Sequence, residues 1–337
     1  MDTLGKNEFK KSALMFCPTF FGYEKHVAEA ISAEGIDVDL YDERPGKSFI
    51  DKVSLRLNLK VYKPVVRKYI KKIIEKNSGK QYDYVFVVKS EAVGEKEVEM
   101  LRSAYPNAQF ILYLWDSVEN VPDGEKKLAL YDRVLTFDPF DAETYGLKLR
   151  PLFFQKEYEA EYEQKTDYRY EVAFIGTAHT ARPRIMKQLE MQCKQRGKDS
   201  FSYLFLPHPM VYFYNKLINP DYKNITKKDI RFNSISPSQI KEIYTESRCI
   251  LDVEHSAQRG LTMRTIEMIG LNKKLITTNQ NIAKYDFYNK SNICIINKEN
   301  PIVPEEFWNS PYIPIKNEVL QRYSLRSFVQ EIFDIRE

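Results

Sequence analysis

The sequence predicts an α/β protein made of two domains, each a parallel sheet with helices on its faces. Three observations carry that prediction. At 337 residues the chain exceeds what one hydrophobic core usually serves, so two domains of about 150 residues are expected. Short apolar runs alternate with helix-length amphipathic stretches, the rhythm of β-α-β units rather than of hairpins. The composition also shifts at 151–165, where an apolar Pro-Leu-Phe-Phe run gives way to charged residues, and a second alternating series begins after it.

The first series opens with a strand at 12–17 and a helix over 23–34, followed by a strand at 38–41. Cations then gather among aliphatic and aromatic residues between Lys52 and Lys72, and Pro64 divides this basic region into two helices. Strands at 84–88 and 110–115 flank a helix over about 94–104, and a strand at 133–137 leads into a short helix at 141–145. The second series has a strand at 172–176, a helix at 185–196, a strand at 201–205, and a helix at 237–247 set off by Ser236 as a cap. A strand at 249–253, a loop and helix through 270, and strands at 273–279 and 293–296 follow. The stretch 317–337 reads as one helix. The predicted organisation is an N-terminal domain over 1–150, a C-terminal domain over 151–316, and a last helix over 317–337.

The most telling stretch runs from His255 through Gln258, Arg259, Gly260, Leu261, Thr262 and Arg264 to Glu267 and Gly270. It follows an apolar strand, passes through a polar loop with one glycine, and opens a helix. Unpaired amides and the positive end of the helix dipole gather at such a junction, which therefore suits a phosphate. Glu267 lies one to two turns into the helix, where a carboxylate can accept hydrogen bonds from the two hydroxyls of a ribose. As a plain helix charge it would instead pair with Arg264, and Arg264 itself reads equally as a phosphate contact or as that partner.

This arrangement resembles the donor-binding segment of glycosyltransferases with the GT-B fold, and within them the capsule, lipopolysaccharide and CgeB-like enzymes. The resemblance is strongest over about 171–300. It implies two Rossmann-like domains with parallel sheets facing a central cleft, the second binding a nucleotide-diphosphate sugar and the first the acceptor, with the helix over 317–337 crossing back to the first domain. It further implies a Glu eight residues before the ribose Glu, contacting the donor sugar in retaining members. This chain has Arg259 there, whose fork of donors suits a phosphate or a carboxylate-bearing sugar, and the anomeric outcome stays open.

Other candidates lie on loops after strands, where ligands bind in open α/β sheets. Gly176, Thr177 and Arg182 follow the strand at 172–176; the glycine admits a ligand to the backbone and the other two can donate to a diphosphate. In the first domain residues 18–26 resemble the family's loop after the first strand, which implies that Gly22 opens a helix against the acceptor, and His26 or Glu24 can take a proton from the attacking hydroxyl. Asp116, beside Trp115 at a strand end, is a third candidate base, and Lys89 at another strand end can bind an acidic acceptor.

Composition narrows the function classes. The net charge of +4 is too small to imply nucleic acid. Cys17, Cys193, Cys249 and Cys294 lack metal-type spacing and read as buried thiols of a reducing compartment. No segment approaches the roughly eighteen continuous apolar residues needed to span a bilayer and residues 1–6 lack a signal-peptide core, so a cytoplasmic protein is expected, with the basic 52–72 region as a peripheral contact to the inner face of the membrane. There is no Walker-type loop or Gly-x-Gly-x-x-Gly, and no Asp-x-Asp or His cluster placed to hold a metal. The expected activity is metal-independent sugar transfer to a lipid-linked or oligosaccharide acceptor of a surface glycan, with no cofactor beyond the nucleotide sugar. A nucleotide-sugar 2-epimerase and a non-catalytic nucleotide or glycan binder are the alternatives.

Overall fold

The computed structural model describes residues 11–46, 62–163, 165, 167–254 and 259–335. The expectations placed on residues 1–6 and 52–61, and on His255 and Gln258, lie outside the described residues. The chain divides into two compact units, Met1–Pro151 with Leu325–Glu337, and Leu152–Ser324.

The first unit runs β1 (Lys11–Phe16), α1 (Tyr23–Ala33), β2 (Ile36–Tyr41), α2 (Lys63–Lys76), β3 (Tyr84–Val88), α3 (Glu95–Ala104), β4 (Gln109–Leu114), a 3₁₀ turn (Val118–Asn120), α4 (Gly124–Leu128), β5 (Arg133–Thr136), α5 (Pro139–Tyr145) and β6 (Lys148–Leu149). Pro64 sits in the first turn of α2, where its missing N–H costs nothing. The strands form one parallel sheet in the order β2-β1-β3-β4-β5-β6. β3 is buried at all five positions, the mark of a strand covered on both faces. On one face Val66 and Ile70 of α2 and Val98 and Leu101 of α3 pack against Val85 and Leu112.

The second unit runs β7 (Tyr170–Thr177), α6 (Arg182–Gln195), β8 (Ser200–Phe205), α7 (Pro209–Ile218), β9 (Ile230–Arg231), α8 (Pro237–Glu246), β10 (Ser247–Asp252), α9 (Met263–Gly270), β11 (Lys274–Thr277), β12 (Ile293–Ile295), α10 (Glu305–Asn309) and α11 (Asn317–Gln321). Its six strands are also parallel, in the order β12-β11-β10-β7-β8-β9. Ile185, Met186 and Leu189 of α6 close the core over Phe174 and Leu204. All four cysteines are buried and free.

The short elements α4, β6, β9 and α10 fall where the sequence reading placed none, and two larger departures concern helices. The single helix expected over 317–337 is broken: after α11 the backbone leaves helical pairing, Phe154 N–H donates to Tyr323 O (2.8 Å), and Phe154 forms a parallel bridge with Ser324. A new helix, α12 (Leu325–Phe333), then covers the other face of the first unit's sheet, with Phe328 edge-on to Tyr113 and Phe333 to Tyr84 and Phe86. The second departure is α7, which falls where the sequence reading placed no helix; Pro209 starts it and the His208 ring accepts from Met210 N–H (3.2 Å).

The segment read as a linker is partly built into the second unit. Ala160 N–H donates to Gly270 O (3.0 Å), and a Cβ at Gly270 would stand 2.4 Å from Tyr158 O and 2.8 Å from the Phe154 ring. Gly270→Ala is therefore expected to destabilise by about 1–3 kcal/mol despite alanine's higher helix propensity, because backbone must move. Urea denaturation reads the sign, and a stabilised variant would refute the close approach.

Candidate functional site

In each sheet the strand order reverses once, and the crevice at that reversal is where open α/β sheets hold ligands. In the second unit the reversal lies between β7 and β10. The loops leaving those strands carry the two motifs singled out in the sequence, and Arg182 ties them: its Nε donates to Val253 O (2.9 Å), and its Nη1 lies 2.7 Å from His179 Nε2. Burial, with Arg264 as a second cation, pulls the Arg182 pKa down to about 10.

Around the start of α9 the organising residue is Asp252, the last residue of β10. It is buried, and its carboxylate receives Thr262 Oγ1 (2.6 Å), Thr265 Oγ1 (2.7 Å) and Arg264 Nη1 (3.1 Å). Thr262 in turn caps α9 by accepting from Thr265 N–H (3.2 Å). Arg264 also donates to Tyr244 Oη (3.2 Å) and to Ile175 O, and lies over the Phe174 ring. Its guanidinium thus serves as an internal strut; burial opposes its charge, and Tyr244 and Asp252 outweigh that and raise its pKa. Close to it, a Cβ at Gly176 would come within 3.1 Å of Arg264 Nη2 and 2.9 Å of the Phe174 ring, so the glycine is required by packing.

The loop before α9 is held from the other side by the loop after β11. Asn279 Nδ2 donates to Gly260 O (3.2 Å) and Asn281 Nδ2 to Arg259 O (3.2 Å), while Leu261 is buried beneath them. Glu254 receives Thr278 Oγ1 and pairs with Lys298 at 2.6 Å. Loops after β7, β10, β11 and β12 therefore converge at one edge. Thr177, at the end of β7, stands exposed on that edge, and Arg259 projects from it, also exposed. Glu267 is buried, close enough to Tyr158, Tyr244 and Arg264 to bear on their ionisation. Asp252, Tyr244, Asn279 and Asn281 were missed from sequence; the one signal, a polar residue ending an apolar strand, was carried by Asp252.

In the first unit the reversal lies between β1 and β3. Gly22 takes φ +84 and begins α1, Phe21 before it takes φ +51, and Lys89 and Ser90 after β3 take φ +74 and +58. Bulky residues in the left-handed region carry strain, which concentrates at functional loops. Lys89 Nζ stands 3.4 Å from Asp116, whose Oδ1 also accepts from Ser117 N–H and Asn120 Nδ2, both at 3.0 Å. Glu24 is buried and accepts from Phe20 N–H (3.1 Å), so it braces the Phe20–Gly22 turn. His26 is half-exposed, 3.7 Å from Glu29. Trp115 packs edge-on against Tyr23, drawing the β1 and β4 loops together.

Behind the β3 loop sits Glu43, fully buried, with Oε1 accepting from Ala92 N–H (2.5 Å) and Val93 N–H (3.3 Å) and Oε2 unpaired. Burial raises its pKa from 4.5 to about 7, against the pull of Lys127 and the two amides. The folded protein thus holds this proton more tightly than the unfolded chain. Its contribution to stability is complete below pH 4.5 and falls by up to about 3 kcal/mol as pH rises to 7. Glu43→Gln is expected to remove that slope in denaturation series across this range; an unchanged slope would place its origin elsewhere.

Among the described residues no group of three His, Cys, Asp or Glu side chains is placed to hold a metal ion, and no helix is long and apolar enough to cross a membrane.

Two parallel six-stranded units of this construction define the GT-B fold. No protein-family model matches the chain, and no curated protein sequence does. Solved structures match it over nearly full length. A glycosyltransferase from Rickettsia africae is 12 % identical, with 97 % of each chain covered and a TM-score of 0.61. HepE from Anabaena, in complex with UDP and glucose, is 10 % identical over 96 % of this chain and 98 % of its own, with a TM-score of 0.58. A UDP-GlcNAc 2-epimerase from Methanocaldococcus jannaschii is 12 % identical over 96 % and 99 %, with a TM-score of 0.54.

Proposed function

We propose that the chain is a glycosyltransferase whose second unit binds a nucleotide-diphosphate sugar. The observation that carries this reading is the convergence, at the sheet reversal, of the β7, β10 and β11 loops on the capped start of α9, with Glu267 buried inside that helix. The amides at the start of α9 and the cations Arg182 and Arg259 receive the diphosphate and offset the charge that develops on it as the glycosidic bond breaks. Glu267 accepts from the ribose hydroxyls. Thr177 donates to the diphosphate from the facing loop. Arg264 acts behind the site, holding Asp252 and the cap. The match to HepE with UDP and glucose supports a uridine nucleotide in particular.

The first unit takes the acceptor on the loops around Gly22 and Lys89. An acceptor hydroxyl attacks the anomeric carbon, its proton passes to His26 or Asp116, and the nucleoside diphosphate leaves. Asp116 is engaged by Lys89, Ser117 and Asn120, Glu24 by its own turn, and His26 stands 3.7 Å from Glu29. The acceptor is a lipid-linked or oligosaccharide precursor of a surface glycan such as capsule or lipopolysaccharide. Transfer needs no metal in this scheme, because helix dipole and arginines take its place.

The match to a 2-epimerase favours one second reading, conversion of the nucleotide sugar without an acceptor. Calorimetry against UDP, GDP, CMP, dTDP and their sugars, with and without magnesium, tests the donor site. One preferred nucleotide is expected. Binding of none would leave a non-catalytic protein, and turnover of the bound sugar nucleotide alone would select the epimerase.

A further inference from the structure

The crossover from β8 to β9 contains a helix that does not bury its apolar side. In α7 only Tyr212 is fully buried, its hydroxyl donating to Ile225 O (3.2 Å), with Val211 packed partly on the core. The opposite side carries Met210, Phe213, Tyr214, Leu217 and Ile218, spaced as one helical stripe and exposed by 54 % at Phe213 up to 86 % at Leu217. A crossover helix normally buries such a stripe on its own sheet. Left in water, five large apolar side chains in one patch mark a surface that meets something apolar.

Charge identifies what that is. Lys223, Lys227 and Lys228 follow directly, all exposed and none in an ion pair among the described residues. The nearby acids are already engaged, Asp221 by Arg184 (2.6 Å) and Asp229 by Lys187 (3.1 Å). Apolar stripe and unopposed cations together match the acyl and headgroup layers of an anionic membrane surface. A second copy of the chain fits poorly. It would set like charges against each other, and a ten-residue helix about 15 Å long and about 10 Å wide offers on the order of 150 Å², far below the roughly 800 Å² each partner of a stable complex buries.

We propose that α7 is a membrane-docking helix, seated on anionic lipid by its outer stripe and the lysines that follow. It starts at the carboxyl end of β8, on the same edge of the sheet as the candidate nucleotide loops, and Tyr222 Oη donates to Ala178 O in the loop after β7. Docking therefore holds that edge beside the bilayer. The assignment differs from the basic region on α2 and does not depend on the transfer reaction.

Vesicle co-sedimentation of the full chain tests it. Wild type is expected to bind phosphatidylglycerol-rich vesicles at least tenfold more tightly than phosphatidylcholine vesicles at low salt. Phe213→Ser with Leu217→Ser should lower binding at least tenfold with an unchanged melting temperature, since both side chains are exposed. Lys223→Gln, Lys227→Gln and Lys228→Gln together should abolish the preference for anionic lipid, whereas Lys68→Gln, Lys71→Gln and Lys72→Gln on α2 should leave it intact. Wild-type binding by the stripe variant, or loss of binding in the α2 variant alone, would overturn the proposal. So would a wild-type dimer in analytical ultracentrifugation that the stripe variant dissolves, which would assign the stripe to a second copy.

Discussion

Replacing Asp252 by alanine is expected to cost about 3–5 kcal/mol of stability, the range for removing one partner of a buried ion pair. Three side chains converge on this carboxylate, so the loss reaches beyond one contact: Arg264 keeps its charge with 18 % of its side chain exposed, and Thr262 and Thr265 lose their acceptor. The helix cap at Thr262 loses its anchor as well. Chemical denaturation measures the total, and a double-mutant cycle with Arg264→Met isolates the pair. A loss below 1 kcal/mol would show that the carboxylate is not the keystone of this loop. If the protein folds, nucleotide affinity should fall too, because the α9 amides are no longer held in register with the β7 loop.

Glu267→Gln should act the other way round, with binding changed far more than stability. A buried carboxylate that accepts from two ribose hydroxyls contributes on the scale of hydrogen bonds to a charged group. Its loss is expected to weaken nucleotide binding roughly tenfold to a hundredfold, or about 1–3 kcal/mol. Calorimetry with the preferred nucleotide checks this, and a deoxyribose analogue provides the internal control: wild type should lose affinity on removal of a ribose hydroxyl, and the variant should be indifferent. Equal affinity of variant and wild type for the ribonucleotide would end the ribose assignment. A large drop in melting temperature would instead assign Glu267 to the interior cluster with Tyr158, Tyr244 and Arg264.

The two predictions separate residues that differ in how visible they were. Glu267 stood out because it lies at a fixed distance beyond a glycine-containing loop, and local spacing survives folding unchanged. Asp252 did not, since a single acid at the end of an apolar run looks like any strand terminus. Its importance comes from Thr262, Thr265 and Arg264 arriving from the following helix turn. Arg264 shows the same limit: the sequence left it between a phosphate contact and a helix partner, and the chain uses it on Asp252, Tyr244 and the Ile175 carbonyl. Lys89 and Asp116 were each proposed from a strand end, but their 3.4 Å approach depends on β3 and β4 being neighbours in the sheet.

By itself the sequence determined the α/β class, the alternation of strands and helices, and the loop-to-helix junction at α9. Those rest on periodicity, capping and apolar runs, which are local. Only the tertiary structure decided that the terminal helix breaks at Ser324, because the Phe154 bridge takes the backbone out of helical pairing. It alone decided that α7 turns its apolar stripe outward, since an amphipathic pattern shows that a helix has two sides but not which one the sheet receives. And it alone brought the β7, β10 and β11 loops to one edge, because strand order sets which loops are neighbours and parallel pairing reaches across long separations in the chain.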